Sequence, residues 1–384
     1  MGVPLVAAHY DERDIAHVSK YVVEVLQTPH PEKSKEAFVE LLIEHAADLG
    51  GSLLVPASDE SLVTLSQNKH LLEPYYTVAC PDWDVVEKCV DKKLTALLAD
   101  AIGVPAPKTV LIRSIEDAEK YEKAVEYPAL LKPSLSHQFY DLYKKKMIVV
   151  DDSAQMLEAY SKIADSGLEM MLQEFIPGDD THGINYNSYF WDGQPIVEFT
   201  ARQIRNAPPW YGSPRVVVSE EIPEAVESGR KMLKALGYNG YSNIEFKWDS
   251  RDGVYKLMEI NARHNLSSLL AVHLGVNFPW IEYQHLIHGE LPSEPPTDYQ
   301  TGVYWIDIVR DVSYSLMNLG KERLSIAELI RPYLKPHVFA IFDWKDLRPF
   351  IKRCTYLVKA AFEAVGSFIG PKREENSKPQ AVEA

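Results

Sequence analysis

The sequence IEFKWDSRDGVYKLMEINAR, residues 244–263, contains two runs of alternating apolar and polar residues on either side of a cluster of turn-forming residues. This pattern predicts an antiparallel hairpin. With the turn centred on the middle of that cluster, Glu245 lies opposite Glu259, and directly opposed residues have Cβ atoms about 4.5–5.5 Å apart. The period of two in a strand places Asn261 and Arg263 on the face of Glu259. The hairpin is therefore expected to bring two carboxylates and a carboxamide together.

Like charges that face each other across a sheet destabilise it unless a proton or a cation lies between them. Glu245, Glu259 and Asn261 supply the hard oxygen ligands that magnesium prefers. The pattern thus indicates a site for a divalent ion. Taken alone, it is also typical of the solvated polar face of an exposed hairpin.

A second informative stretch is YPALLKPS, residues 127–134, in which two prolines bracket a short apolar strand that ends in Lys132. A lysine at the end of a buried strand holds a positive charge at a fixed position, where it can bind phosphate oxygens. The alternative is a lysine that extends from an edge strand into solvent. The following loop, residues 135–146, contains three consecutive lysines and no glycine.

A third stretch, MMLQEFIPGDD, is an apolar strand at residues 170–180 that runs through Glu174 into a Pro-Gly turn. The edge of such a strand offers backbone donors and acceptors to an adenine ring, and a nearby acid can hold ribose hydroxyls. By itself, the pattern is more typical of an ordinary strand and turn.

Candidate substrate contacts lie in FTARQIRNAPPWYG, residues 199–212. Arg202 and Arg205 are three residues apart near a Pro-Pro turn, and the planar guanidinium matches a carboxylate. We expect at least one of them to hold an acid, the alternative being surface arginines at the end of a strand.

The order of these stretches resembles the ATP-grasp superfamily, and within it the carboxylate-amine ligases related to D-aspartate ligase and to the carbamoyl phosphate synthetase large chain. The resemblance covers residues 3–290. It is carried by the ordered set DKKLTALLADAIGVPAPKT (residues 91–109), LLKPS, QEFIPGDD, EFKWD and MEINAR.

The resemblance implies an ATP site with Mg²⁺, or Mn²⁺ in its place. It implies that Lys92 and Lys132 bind phosphate, that Glu174 with the backbone of Phe175 and Ile176 forms an adenine hinge, and that Asp180 binds the ribose. It also implies that the metal ligands are Glu245, Glu259 and Asn261. Arg263 would stabilise the transferring phosphoryl group or the acyl phosphate.

The chain departs from the family pattern in two places. Many relatives have a glycine-rich loop after the strand lysine, where this chain has residues 135–146. The N-terminal domain of relatives usually begins with a further strand and helix, so this chain is expected to start one such unit late.

The fold class expected is α/β, with an α+β arrangement in the ATP-grasp part, where the nucleotide lies between two subdomains. The predicted regions are an N-terminal parallel α/β domain (1–90), the ATP-grasp domain (91–295) with a small lid-like subdomain (107–175) and a large one (176–295), a C-terminal helical extension (296–371) and a disordered tail (372–384). Helices are predicted at 15–26, 33–49, 303–319 and 346–369 from the spacing of their apolar residues.

Composition narrows the function further. A net charge of −15 argues against nucleic acid as a partner. No apolar stretch approaches the ~20 residues that span a bilayer, and no signal peptide is apparent, so a cytoplasmic location is expected. The three cysteines, at positions 80, 89 and 354, have neither disulfide nor metal spacing and are expected to be buried.

The sequence therefore predicts an ATP-dependent ligase that activates a carboxylate as an acyl phosphate and passes it to an amine. Its partners are expected to be small carboxylate and amine substrates, amino acids or their derivatives, and a homo-oligomer is left open. The alternatives are a carboxylase-type enzyme that activates bicarbonate, and a nucleotide-binding protein without turnover.

Overall fold

The computed structural model describes residues 2–134, 139, 142–143, 147–210, 212–294, 296, 298–318 and 324–369. Contacts divide the chain into two compact units, Met1–Gln27 with Ile341–Ala384, and Thr28–Ala340. The predicted tail at 372–384 and all but residues 139, 142 and 143 of the predicted basic loop at 135–146 lie outside the described residues.

The strands, in chain order, are Leu5–His9 (β1), Val22–Gln27 (β2), Leu53–Leu54 (β3), Thr77–Val78 (β4), Thr109–Ile112 (β5), Ala129–Pro133 (β6), Ile148–Val150 (β7), Met170–Glu174 (β8), Gly183–Trp191 (β9), Gln194–Ala207 (β10), Ser213–Ser219 (β11), Gly240–Asp249 (β12), Val254–Asn261 (β13), Tyr304–Ile306 (β14) and His337–Phe339 (β15).

The α-helices are Lys35–Glu44 (α1), Ala46–Leu49 (α2), Asp59–Gln67 (α3), Lys69–Leu72 (α4), Trp83–Val90 (α5), Lys92–Ile102 (α6), Ile115–Tyr121 (α7), Ser153–Ser161 (α8), Pro223–Leu236 (α9), Ser268–His273 (α10), Phe278–His288 (α11), Ile308–Met317 (α12), Ile326–Ile330 (α13) and Arg348–Ile369 (α14). Short 3₁₀ helices lie at Ala16–Val18, Ala164–Ser166, Asp180–His182 and Arg331–Leu334. Among the described residues, no helix has the length and apolar character needed to cross a membrane.

In the smaller unit, β1 and β2 form a parallel pair, and the helix predicted at 15–26 is wrong. The β-branched residues of β2 favour the extended conformation, and pairing with β1 supplies the backbone hydrogen bonds that a helix would have made internally. Asp346, just before α14, accepts hydrogen bonds from the hydroxyl of Ser19 (2.6 Å) and the backbone N–H of Lys20 (2.9 Å). The chain is thereby held in the bend that precedes β2.

In the larger unit, the strands β3 and β4 form a short parallel pair among helices α1 to α6. Ser58 caps α3: its hydroxyl accepts a hydrogen bond from the backbone N–H of Ser61. Cys80 and Cys89 are buried as predicted, whereas Cys354 is only partly buried. Burial raises the pKa of the Cys80 and Cys89 thiols to about 12. The two thiols are therefore packing groups.

A four-stranded antiparallel sheet follows, with the order β5-β8-β6-β7. Its apolar face packs against α7 and α8, and the buried members of this core include Ile112, Ala118, Leu131, Met156 and Leu172. Both faces of β6 are buried, so the whole strand, including Lys132, is held away from bulk water.

A seven-stranded sheet with the order β13-β12-β9-β10-β11-β14-β15 forms the rest of the larger unit. One end of one face carries Tyr189 and Tyr241, which pack against Leu270 and Phe278 of α10 and α11. Further along the same face, the period of two brings polar residues into register with these tyrosines. The face therefore changes from apolar to polar along its strands.

The helix predicted at 303–319 is only partly correct, because it begins at Ile308 and the preceding residues form β14. Strand β14 pairs with β11 and β15, and Trp305 within it is buried. A free sheet edge at β11 offers hydrogen bonds that outweigh the local helical pattern.

Asp311 of α12 fixes this C-terminal segment to the sheet. Its carboxylate accepts two hydrogen bonds from Arg205 (2.9 and 2.7 Å) and one from the hydroxyl of Tyr333 (2.6 Å), and it lies 3.1 Å from Nη1 of Arg215. The side chains of Arg205, Arg215 and Asp311 are 3%, 1% and 4% exposed. Removal of the carboxylate would leave two buried cations without their anion.

We predict that Asp311→Asn lowers the free energy of unfolding by about 3–5 kcal/mol, the usual cost of breaking a buried ion pair from one side. Urea denaturation followed by circular dichroism measures it. Asp298→Asn, an exposed position, is the control and should change the free energy by less than about 0.5 kcal/mol. Equal stability of Asp311→Asn and wild type would contradict this account of the network.

Candidate active site

In the hairpin of β12 and β13, Glu245 pairs with Glu259 as predicted, and Asn243 pairs with Asn261. A bulge between Glu245 and Phe246, which the sequence did not predict, shifts the register between this pair and the turn. Burial removes water from the carboxylate of Glu245, and the charge of Glu259 adds repulsion, so the pKa of Glu245 rises to about 7. In the absence of a cation, a proton is thus the species that relieves the repulsion between the two carboxylates.

Side-chain amides surround this pair. The Nδ2 atom of Asn261 donates to Oδ1 of Asn243 (3.2 Å) and to Oε1 of Glu245 (3.4 Å). On the other side, Nε2 of Gln203 donates to Oε2 of Glu245 at 3.5 Å. Sequence analysis missed Gln203 and Asn243. The available signal was a run of polar residues two apart in β12 that become buried in the sheet.

The site fits a divalent cation. Two carboxylates and the Oδ1 atom of Asn261 are hard oxygen donors, and on the nearby strand β10 the buried Oδ1 atom of Asn206 has no hydrogen-bond partner within the described structure. Across the described ranges, no group of three or more His, Cys, Asp or Glu side chains is placed to hold a metal. A cation held by these three side chains would keep further coordination positions, as in magnesium sites that also take phosphate oxygens.

Two lysines lie close to the carboxylates. Nζ of Lys92, the first residue of α6, is 3.8 Å from Oε1 of Glu259. Lys132 is 8% exposed, and burial together with the charge of Lys92 lowers its pKa to about 7, while Glu259 opposes this shift. A buried amine whose charge costs this much is poised to gain an anionic partner.

The predicted adenine hinge follows β8. The carboxylate of Glu174 accepts hydrogen bonds from Nη2 of Arg251 (2.6 Å) and from the backbone N–H of Lys108 (3.1 Å). Ile176 is buried, and Nζ of Lys247 lies 5.4 Å from the ring centre of Phe175. The carboxylate of Glu174 is thus occupied by the protein, which leaves the backbone of this segment as its available hydrogen-bonding surface.

Asp180, predicted to bind ribose, holds the loop that follows β10. Its carboxylate accepts hydrogen bonds from the backbone N–H groups of Asn206 (2.8 Å) and Trp210 (2.6 Å). Trp210 has a φ of 72°, in the left-handed region that bulky residues rarely adopt, and its side chain is exposed. The bond to Asp180 is one of the interactions that support this conformation.

Arg263, just beyond β13, makes a two-pronged ion pair with Asp59 in the first turn of α3. Nε donates to Oδ1 at 2.7 Å and Nη2 donates to Oδ2 at 2.9 Å. This is the geometry in which arginine recognises a free carboxylate. Asp59 was not assigned a site role from the sequence, because its partner lies 204 positions away.

The two arginines predicted to hold substrate are paired within the protein. Arg202 donates to both oxygens of Glu220 (2.7 and 2.6 Å) and to the carbonyl of Thr181 (2.8 Å). Arg205 is the buried partner of Asp311 described above. Both guanidinium groups therefore neutralise carboxylates of the chain itself, and a contact with substrate would require these pairs to open.

Comparison with known proteins identifies the fold. The family described as "ATP-grasp in the biosynthetic pathway with Ter operon" matches residues 205–309. The structure superposes on the biotin carboxylase domain of a 2-oxoglutarate carboxylase from Hydrogenobacter thermophilus with a TM-score of 0.59 and 20% identity, covering 79% of this chain and 68% of that one. The chain has the ATP-grasp fold, and the fold class predicted from its sequence is confirmed.

The more specific resemblance is also confirmed. The chain is 26% identical over 242 residues to the D-aspartate ligase of Enterococcus faecium, which covers 59% of this chain and 56% of the ligase. It is 26% identical over 219 residues to the carbamoyl phosphate synthase large chain of Pyrococcus furiosus, covering 54% of this chain and 19% of that one. The chain thus spans little more than half the length of the first relative and about a fifth of the second.

The lowered pKa of Lys132 gives a testable pH dependence. Its pKa is about 7 in the folded protein and about 10.4 in an unfolded chain, so between these values the unfolded state binds more protons. The free energy of unfolding therefore gains a contribution as the pH rises from 7 to 10, and loses it as the pH falls back through 7. Lys132→Met should lack this contribution.

The measurement is urea denaturation of the ligand-free protein at pH 7, 8, 9 and 10. The variant should be most stable relative to wild type at pH 7 and should lose that advantage steadily towards pH 10. Lys234→Met, at an exposed position of α9, should keep the wild-type slope. A difference between Lys132→Met and wild type that stays constant with pH would refute the lowered pKa.

Proposed function

We propose that this protein is an ATP-dependent carboxylate-amine ligase, which forms an amide bond through an acyl phosphate and releases ADP and phosphate. The observation that carries the proposal is the facing pair Glu245 and Glu259, joined by Asn261, with Lys92 and Lys132 beside it. Phosphoryl transfer needs positioning and charge neutralisation more than covalent help, and this set supplies both.

The residues that would hold Mg²⁺ are Glu245, Glu259 and Asn261. A metal bound there would neutralise phosphate charge during transfer. Lys132 and Lys92 would bind phosphate oxygens, and an anion next to Lys132 would return its pKa towards the ordinary range. Lys132, which is only partly protonated near neutral pH in the ligand-free protein, would thus become fully charged when ATP binds.

The remaining nucleotide contacts follow the predicted assignments. The backbone of Phe175 and Ile176 would bind the adenine, with Glu174 held in place by Arg251. Asp180 would bind the ribose hydroxyls while it keeps the loop around Trp210 in position. Mn²⁺ satisfies the same donor set as Mg²⁺.

In the proposed reaction, a carboxylate oxygen of the substrate attacks the γ-phosphorus and the bond to ADP breaks. The amine nitrogen then attacks the carbonyl carbon, the bond to phosphate breaks, and the amine loses a proton. Arg263 would stabilise the acyl phosphate, and its pairing with Asp59 supports a preference for a carboxylate or phosphate partner. The substrates would be amino acids or their derivatives, and the cytoplasm, where ATP is abundant, would be the location.

The similarity to D-aspartate ligase supports an amide-forming reaction over the alternatives. Activation of bicarbonate, as in a carboxylase, would share every residue role up to the mixed anhydride and differ in the acid that enters. A nucleotide-binding protein without turnover would have no need for both carboxylates of the hairpin.

Glu259→Ala should reduce ADP release by roughly 10²–10³-fold or more, because it removes a charge that no neighbouring side chain replaces. Glu227→Ala, exposed on α9, is the matched control and should keep wild-type turnover. Circular dichroism should show the same fold in both variants. Normal turnover by folded Glu259→Ala would remove the basis of the metal assignment.

The intermediate provides a second test. With a carboxylate substrate, ATP and Mg²⁺ present and the amine omitted, hydroxylamine should trap the activated acid as a hydroxamate while ADP accumulates. Oxygen-18 in the carboxylate should appear in the released phosphate. AMP and pyrophosphate as products would rule out the acyl-phosphate route, and bicarbonate as the sole activating acid would favour the carboxylase alternative.

A further inference from the structure

A cavity of about 450 Å³ lies at the start of β12, away from the proposed metal site. Its walls include the segment that follows β4, Gly240 at the beginning of β12, and Glu282 of α11. Gly240 precedes Glu245 by five residues in the same strand, a separation of ~16 Å along an extended chain. The cavity is therefore separate from the proposed active site.

The carboxylate of Glu282 is only half satisfied by the protein. Its side chain is 3% exposed, and its Oε2 atom pairs with Nε2 of His264 at 3.0 Å. Its other oxygen, Oε1, has no hydrogen-bond partner among the described residues. This oxygen lies 4.0 Å from the position that a Cβ atom would take at Gly240 in the cavity wall. A donor in the cavity would thus relieve the cost of burying it.

The polar groups around Glu282 do not supply this donor, because they are bonded elsewhere. Burial and the charge of Glu282 raise the pKa of Tyr189, so its hydroxyl keeps its proton, but that hydroxyl bonds to Nδ1 of His285 at 2.9 Å. Nζ of Lys69, in the cavity wall, donates to Oδ1 of Asp82 at 2.7 Å. The charge of Glu282 is therefore available to a cationic ligand.

The remainder of the lining favours an organic cation over an inorganic one. Apolar and aromatic surface comes from Tyr76, Val78, Val85, Trp191 and Leu286. A carbon chain attached to an ammonium group would cover this surface, and the ring of Trp191 also attracts cations. An inorganic cation would bind the carboxylate but would leave the apolar walls uncovered.

Glu282 is connected to the proposed active site through His264. The ring of His264 stacks on that of Tyr241, with centroids 3.9 Å apart, and the hydroxyl of Tyr241 donates to Oδ1 of Asn187 at 2.8 Å. The carbonyl oxygen of His264 accepts a hydrogen bond from Nη1 of Arg263 at 3.5 Å. A change in charge at Glu282 would therefore act on His264 and, through it, on Arg263.

We propose that this cavity is a regulatory site for a small organic ammonium ion, whose charged group binds Oε1 of Glu282. The ligand shares the carboxylate with His264, so it weakens the bond between them and loosens the support of Arg263. Occupation of the cavity therefore weakens the binding of ATP with Mg²⁺. The ligand is distinct from the amine that the proposed ligase consumes, and the inference does not depend on that reaction, because it concerns binding alone.

The test is calorimetry on the whole protein at pH 8, with butylamine as the probe. An alkylamine is protonated at this pH, since its pKa is close to the ~10.4 of a lysine side chain. The comparison ligands, at equal ionic strength, are 1-butanol, butyrate and potassium chloride. Glu282→Gln removes the charge and keeps the shape of the side chain. Glu73→Gln, at an exposed position in the wall of the same cavity, is the matched control, and Glu259→Ala reports any binding at the proposed active site.

Wild type should bind butylamine at least tenfold more tightly than 1-butanol or butyrate. Glu282→Gln should weaken that binding at least tenfold, whereas Glu73→Gln and Glu259→Ala should stay within about twofold of wild type. Saturating butylamine should weaken the binding of a non-hydrolysable ATP analogue with Mg²⁺ about threefold, and the analogue should weaken the binding of butylamine by the same factor, as linkage requires. Thermal unfolding checks that the variants are folded, and the comparison of ligands on the wild-type protein stands without them.

Three outcomes would overturn the inference. Equal binding of butylamine by wild type and folded Glu282→Gln, or its loss in Glu259→Ala, would contradict the location of the site. Displacement of butylamine by potassium at equal concentration would contradict the ligand class. Binding at Glu282 that leaves the affinity for the ATP analogue unchanged would contradict the regulatory role. None of these results bears on the ligase reaction, which ADP release and hydroxamate formation test separately.

Discussion

The repulsion between Glu245 and Glu259 is the interaction on which the rest of the site depends. The two carboxylates face each other in adjacent strands, and burial leaves the charge of Glu245 poorly hydrated. The fold keeps them together because the pairing of the two strands is set by the alternation of their side chains and by the turn, which the repulsion of one pair does not outweigh. A proton, a lysine or a divalent cation must then compensate the charge, and Lys92 lies close enough to contribute.

Each of the two larger sheets contributes some of the charged residues of the site. The seven-stranded sheet holds the carboxylates and the amides around them, and the four-stranded sheet supplies Lys132 from a fully buried strand. Helix α6 adds Lys92, and α3 brings Asp59 to Arg263. Opposite charges thus arrive from elements far apart in the chain. An anionic nucleotide with its metal would complete the charge balance that these residues leave open.

Prediction from the sequence succeeded where structure is decided locally and failed where it is not. The C-terminal helix predicted at 346–369 begins at Arg348, as the spacing of its neighbouring apolar residues indicated. The helix expected at 15–26 became a 3₁₀ turn and strand β2, because a parallel partner in β1 outweighed the periodicity of its apolar residues. Strand β14 replaced the first turn of another predicted helix for the same reason.

The sequence by itself determined the hairpin at residues 244–263, since the alternation of its residues and the turn between them favour two paired strands, whereas the pairing of Glu245 with Glu259 also needs the bulge beside Glu245. Only the tertiary structure decided which charges meet. Arg205 and Asp311 lie 106 positions apart, and the pKa of Lys132 depends on burial and on the distant Lys92 and Glu259. The physical reason is that a strand pattern acts between neighbours, whereas electrostatic environment is set by whatever the folded chain brings close and by the water it excludes.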